Sequence, residues 1–169
     1  HVEVADDPVA VLHVGAHLGA DLAHDVHHPV QVFAVSHADV DHYGGNAAVK
    51  QAAPQALFLA HELDVPWIES ADAIMRERYG WYAEHGLAYD PDTFAWLRNA
   101  IGPDTPVDVH LRAGERIRLG PALTVEVLHL PGHTAGHIGL WDPASRTAIV
   151  MDAVMGRGLL DMDGNVIHP

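Results

Sequence analysis

Apolar and polar positions divide this chain into strand-rich ends around a helical middle. Val2 to Val4 and Val9 to Val14 read as short strands joined by the acidic turn Ala5-Asp6-Asp7-Pro8. Ala16 to His28 repeats Leu18, Leu22 and Val26 at intervals of four, the spacing of one helix face. The apolar run Val30 to Val35 predicts a buried strand. After Gly44-Gly45, Asn46 is placed to cap a helix running to about Ala53, with Pro54 marking its end. Ala56 to Leu59 is another strand. The stretch of about 66–101 then changes character: it holds every tryptophan except Trp141 and every tyrosine except Tyr43. Trp67, Ile68, Ile74, Met75, Tyr79 and Tyr82 fit helical faces, and Asp92-Thr93 starts a second helix through Trp96 and Leu97. Strands return at Val107 to Leu111, Arg116 to Leu119, Leu123 to Leu128, His137 to Trp141 and Thr147 to Met151, and Asp161-Met162-Asp163-Gly164-Asn165 reads as a hairpin turn. Strands, then helices, then strands predict mixed α/β layers rather than a parallel sheet alone.

Composition narrows the picture. A length of 169 residues and 49% hydrophobic content predict one domain, 1–169, with a sizeable core. The helical insertion at about 66–101 is either a satellite packing cluster or a lid or pocket wall. A net charge of -14, from 9 basic and 23 acidic residues, argues against non-specific binding to nucleic acid or an anionic membrane. With no cysteine, any bound metal must use His, Asp or Glu. No apolar stretch is long enough to span a membrane and no signal peptide opens the chain, so the expectation is a cytoplasmic protein, with a segment upstream of His1 left open. Most of the 15 histidines are expected on the surface or in packing roles.

Three clusters carry candidate chemistry. His37, Asp39, Asp41 and His42 follow a strand directly; on an extended loop, alternate residues 37, 39 and 41 would face one site while 42 turns to a neighbouring one. Gly132-His133-Thr134-Ala135-Gly136-His137 follows another strand, with glycines that let the backbone bend and bring His133 inward. Asp152 ends a third, placed to bridge two cations. Imidazoles and carboxylates packed so densely are costly to hold together unless a divalent ion binds them. No G-x-S-x-G elbow, phosphate-binding G-x-x-x-x-G-K, G-x-G-x-x-G or catalytic thiol competes with that reading.

With these motifs in order, the chain resembles the metallo-β-lactamase fold superfamily. The family's H-x-H-x-D-H reads H-A-D-V-D-H here, an H-x-D-x-D-H variant; its G-H-T-x-G-H is Gly132 to His137; its late Asp is Asp152. The resemblance implies an αβ/βα four-layer sandwich with metals at one edge, lacking part of its C-terminal layer. It implies that His37 and His133 hold a first metal, that Asp41 and His42 hold a second, and that Asp152 bridges them. His137 would support the site by hydrogen bonding without touching the ion. Asp39 stands where the family has a second histidine. It is counted with the ligands, and a carboxylate there shifts preference toward manganese or iron. The family's last histidine ligand has only His168 as a counterpart. Either a C-terminal strand and helix lie beyond Pro169, or water or another chain completes the second site, and the uncovered edge would favour a homo-oligomer.

The function expected is that of a metal-dependent hydrolase with one or two divalent ions, zinc first and iron or manganese as alternatives. A metal-bound hydroxide would attack an ester, lactone, thioester or amide carbonyl, with Asp41 orienting the nucleophile and moving a proton to the leaving group. The partner would be a small molecule with an apolar or acyl part. Iron-dependent redox or oxygen chemistry, and a non-catalytic metal-binding module, are the alternatives.

Overall fold

The computed structural model describes residues 30–154 with their side chains, and three further strands as backbone: β1 Val2–Glu3, β9 Leu159–Leu160 and β10 Val166–His168. The strand expected at Val9 to Val14, the helix at Ala16 to His28 and the turn at Asp161 to Asn165 lie outside the described residues. In the first half, β2 Val32–Ala34 is followed by the short helix α1 Val40–Tyr43, then α2 Asn46–Ala52 and β3 Leu57–His61. Helices α3 Val65–Ile68 and α4 Ala71–Ile74 run into a π-helical turn, Met75–Tyr79; a 3₁₀ turn, Ala83–His85, precedes α5 Pro91–Ile101. The second half is β4 Val109–Leu111, β5 Arg116–Arg118, β6 Thr124–His129, β7 Ile138–Asp142, β8 Thr147–Ile149 and a 3₁₀ turn at Met151–Ala153.

These strands form a five-stranded sheet in the order β1-β5-β6-β7-β8, a three-stranded parallel sheet β2-β3-β4, and the antiparallel pair β9 and β10. β1 pairs in parallel with β5.

The side-chain period of two explains why β2 is apolar throughout. Val32 and Ala34 point to one face, where they meet Leu59, Leu111, Ile117, Val127, Ile138 and Leu140 between the two sheets. Phe33 and Val35 point to the other face, into a core shared with Phe58, Ile68, Ile74, Tyr79, Leu97 and Ile101. A parallel strand covered on both faces needs a continuous apolar run. Phe33 and Phe58 are partners in register and stack with ring centroids 4.6 Å apart. Burying each ring stabilises the fold by roughly 1.5–3 kcal/mol relative to exposure. Among the described residues, helices, small sheet and large sheet thus lie in succession as layers of a mixed α/β sandwich. From the 66–101 stretch, Ile68, Ile74, Tyr79, Leu97 and Ile101 belong to the same core cluster as Phe33 and Phe58 of the three-stranded sheet, while Trp81, Tyr82, Leu87, Tyr89 and Trp96 are exposed.

Two helix starts differ from expectation. Gly45 rather than Asn46 caps α2, and Asn46 is buried as the first helical residue. Asp90 caps α5, its carboxylate accepting from the amides of Asp92 and Thr93, with Pro91 at the first helical position where the missing N–H costs nothing.

Candidate metal centre

The site lies where strands of both sheets end. The amide of Ile138, at the start of β7, donates to Ser36 O over 2.8 Å, tying the loop after β2 to the large sheet. This loop does not stay extended. Asp39 caps α1, its carboxylate accepting from Val40 N, and the chain turns helical at once. The alternation expected of residues 37, 39 and 41 is therefore broken. The turn brings the rings of His37 and His42 together, with centroids 4.1 Å apart, while the Asp41 side chain is 62% exposed and lies 3.6 Å from His42 Nε2. Neither close cluster of donors includes Asp41.

Two such clusters exist among the described residues: His37, Asp39 and His133, and His37, His42 and Asp152, with the donor atoms of each within 4.8 Å of one another. The His133 ring lies 4.6 Å from that of His37, and its Nε2 is 3.2 Å from Asp39 Oδ2. Asp152, on the 3₁₀ turn after β8, reaches three histidines through Oδ2: His42 at 3.1 Å, His37 at 3.6 Å and His133 at 3.9 Å. His137 is fully buried 4.7 Å from the His37 ring, and neither of its ring nitrogens has a hydrogen-bond partner among the described residues, so the supporting bond expected of it is not formed here. His168 has no described side chain.

The donor set fits a divalent ion. His37 Nε2 is buried without a hydrogen-bond partner among the described residues, while Nδ1 sits 2.9 Å from Ser36 Oγ. In the tautomer with Nδ1 protonated, that N–H donates to Ser36 and Nε2 presents a lone pair to the cluster. A buried polar atom left this way is costly unless something binds it. Burial, and then the imidazoles of His42, His137 and His133, push the His37 pKa down to about 3, so the ring stays neutral and ready to donate.

Three residues that the sequence patterns did not single out as functional complete the site. Asp64, just beyond β3, is 1% exposed and accepts from Ala38 N at 2.8 Å, Thr134 Oγ1 at 2.5 Å and Gly136 N at 2.6 Å. One carboxylate thus clamps the His37 loop to the His133 loop. Gly136 makes this possible: a Cβ there would stand 2.7 Å from Asp64 Cγ. Arg78 and Tyr79, from the π-helical turn, both reach Asp39. Arg78 Nη2 donates to Oδ2 at 2.6 Å and Tyr79 Oη donates to Oδ1 at 2.5 Å. Burial alone would raise the Asp39 pKa, but the Tyr79 hydrogen bond and the charge and hydrogen bond of Arg78 outweigh it and hold the group below its usual range. Burial and then Asp39 raise the Tyr79 pKa, so the phenol stays a donor.

The chain is similar to several known proteins. The family model described as the Metallo-beta-lactamase superfamily matches residues 21–169. A hydroxyacylglutathione hydrolase of Ruegeria pomeroyi is 33% identical over 113 residues, covering 63% of this chain. The match spans only 42% of that relative's length. Among solved structures, the metallo-beta-lactamase family protein TTHA1429 from Thermus thermophilus superposes with a TM-score of 0.60 at 21% identity, over 76% of this chain and 42% of that one. A second protein, TTHA1623 in a di-iron-bound form, gives a TM-score of 0.50 at 29% identity, over 81% of this chain and 58% of that one. No helix among the described residues is long and apolar enough to cross a membrane.

Proposed function

Because the chain belongs to the metallo-beta-lactamase superfamily, we propose that it is a metal-dependent hydrolase acting on the carbonyl of an ester, lactone, thioester or amide. The observation that carries this reading is the meeting of His37, His42, His133 and Asp152, from loops up to 115 residues apart in sequence, around a buried imidazole nitrogen that has no hydrogen-bond partner among the described residues. An ion held there, zinc first and manganese or iron as alternatives, supplies Lewis acidity, making a water nucleophilic near neutral pH and drawing charge from the carbonyl oxygen.

The chain's own residues divide the remaining work. His37, Asp39 and His133 form one donor set and His37, His42 and Asp152 the other, with Asp152 Oδ2 also 3.9 Å from His133 Nε2. Asp41, solvent-facing beside His42, orients the attacking water and passes its proton to the leaving group. His137, its ring 4.7 Å from that of His37, packs behind the donors. The 66–101 helices are a wall on the substrate side, their Trp67 near the Arg78 guanidinium. The wall's aromatic content and the name of the Ruegeria relative, an acylglutathione hydrolase, favour a small acyl thioester among the four substrate classes.

The test is hydrolysis of an ester, lactone, thioester and amide panel by zinc-loaded protein, before and after chelation. Turnover that is fastest on a thioester and vanishes with chelator supports the reading. A zinc-loaded protein inert on the whole panel contradicts it. An iron-loaded centre is the second reading, favoured by the hard carboxylate of Asp39 and by the di-iron form of the similar TTHA1623. An iron signal in protein isolated without added metal would select it.

A further inference from the structure

Resting on the metal-centre reading above, we propose that Arg78 and Tyr79 set the metal stoichiometry: they occupy Asp39 and weaken the ion position beside Asp39 and His133, which competes with the His37–His42–Asp152 position for the one nitrogen of His37 that is free among the described residues. Both oxygens of Asp39 are already engaged. Oδ1 accepts from Tyr79 Oη at 2.5 Å and from Val40 N at 3.0 Å. Oδ2, the oxygen within reach of His133 Nε2, accepts from Arg78 Nη2 at 2.6 Å. An ion entering this cluster must therefore compete with a guanidinium for the same oxygen, and it meets a carboxylate whose charge is already balanced.

Arg78 is not a casual occupant. Its side chain is 22% exposed, its Nη1 lies 3.4 Å from the carbonyl of His133, and its guanidinium sits 6.0 Å from the Trp67 ring centre and 5.9 Å from that of Tyr79. The π-helical turn carries Arg78 and Tyr79, neighbours in sequence, onto one carboxylate, and such turns recur at functional sites. Asp152 has no comparable partner among the described residues: its contacts are the three imidazoles, each able to bind an ion beside it. The His37–His42–Asp152 position therefore fills first.

The test is calorimetric titration of the metal-free protein with zinc ion alone, with circular dichroism to establish folding. The wild-type chain should bind one zinc tightly and a second weakly or not at all. Arg78→Leu should tighten or create the second event by about tenfold or more and leave the first unchanged. Tyr79→Phe should shift the same event in the same direction by less. Two equal zinc sites in the wild-type chain, or an unaltered second event in folded Arg78→Leu and Tyr79→Phe, would overturn the inference while leaving the metal centre intact. No zinc uptake by the wild-type chain would instead remove the reading on which it rests.

Discussion

The loop carrying His37 and the turn carrying Asp152 face each other at 3.6 Å, yet they are held in opposite ways. The His37 loop is fixed before any ion arrives. Asp64 grips it at Ala38, Ile138 N holds it at Ser36, and Asp39 caps the helix that follows. The Asp152 turn follows β8, which among the described residues is an edge strand paired with β7 alone and is exposed along its length. It starts at Met151 with φ 49°, a left-handed conformation that costs a non-glycine residue roughly 1 kcal/mol or more. Its carboxylate is 38% exposed and, among the described residues, touches only imidazoles. One side of the centre is preorganised by the fold, and the other is left for the ion to fasten.

That contrast predicts unequal penalties. Asp64→Ala leaves two amides and a hydroxyl buried without an acceptor, at about 1–3 kcal/mol each before relaxation, so a loss of about 3–5 kcal/mol is expected in urea unfolding of the metal-free protein. Gly136→Ala should act at the same point by steric exclusion. A loss below about 1 kcal/mol for both would show that the clamp is not what holds the loops. Asp152→Asn should do the reverse: stability within about 0.5 kcal/mol of the parent, but zinc affinity lower by roughly a hundredfold, the upper end of what even an indirect supporting residue costs. Equal zinc affinity in the two proteins would break the comparison.

The smallest effect expected is a pH dependence away from the donors. His61, at the end of β3, is buried and stacked on His129 with ring centroids 4.4 Å apart. Burial first, then the His129 imidazole, hold its pKa below the ordinary value of 6.5. Below that value the unfolded chain takes up a proton that the folded chain refuses, so stability is full above it and declines as pH falls through the window beneath it. Chelated protein should unfold at lower urea at pH 5 than at pH 7, and His61→Gln should flatten the slope. An unchanged slope would leave the stacked pair without that role.

Much of this was legible in the sequence because ligand spacing is local. His37, His42, His133 and Asp152 each follow a strand, and strand ends are readable from apolar runs. What was not legible depends on partners distant in sequence. Asp64 looks like an ordinary acidic residue after a strand, since its three partners lie 26, 70 and 72 positions away. Tyr79 reads as one more apolar face of a helix, which it also is, and nothing local shows its hydroxyl meeting Asp39. The helical turn at Val40 is different: Asp39 ahead of Val40 is itself a capping signal, and weighing it against the alternation would have moved Asp41 out of line with His37.

A metal centre of this kind requires one ion shared among segments that the chain brings together from far apart. Anomalous diffraction from a zinc-loaded crystal tests this most directly. The predicted result is a zinc peak at about 2.0–2.2 Å from a ring nitrogen of His37 and an oxygen of Asp152, with any second, weaker peak beside Asp39 and His133. Zinc bound elsewhere, with the His37 and His133 rings left unligated, would contradict it.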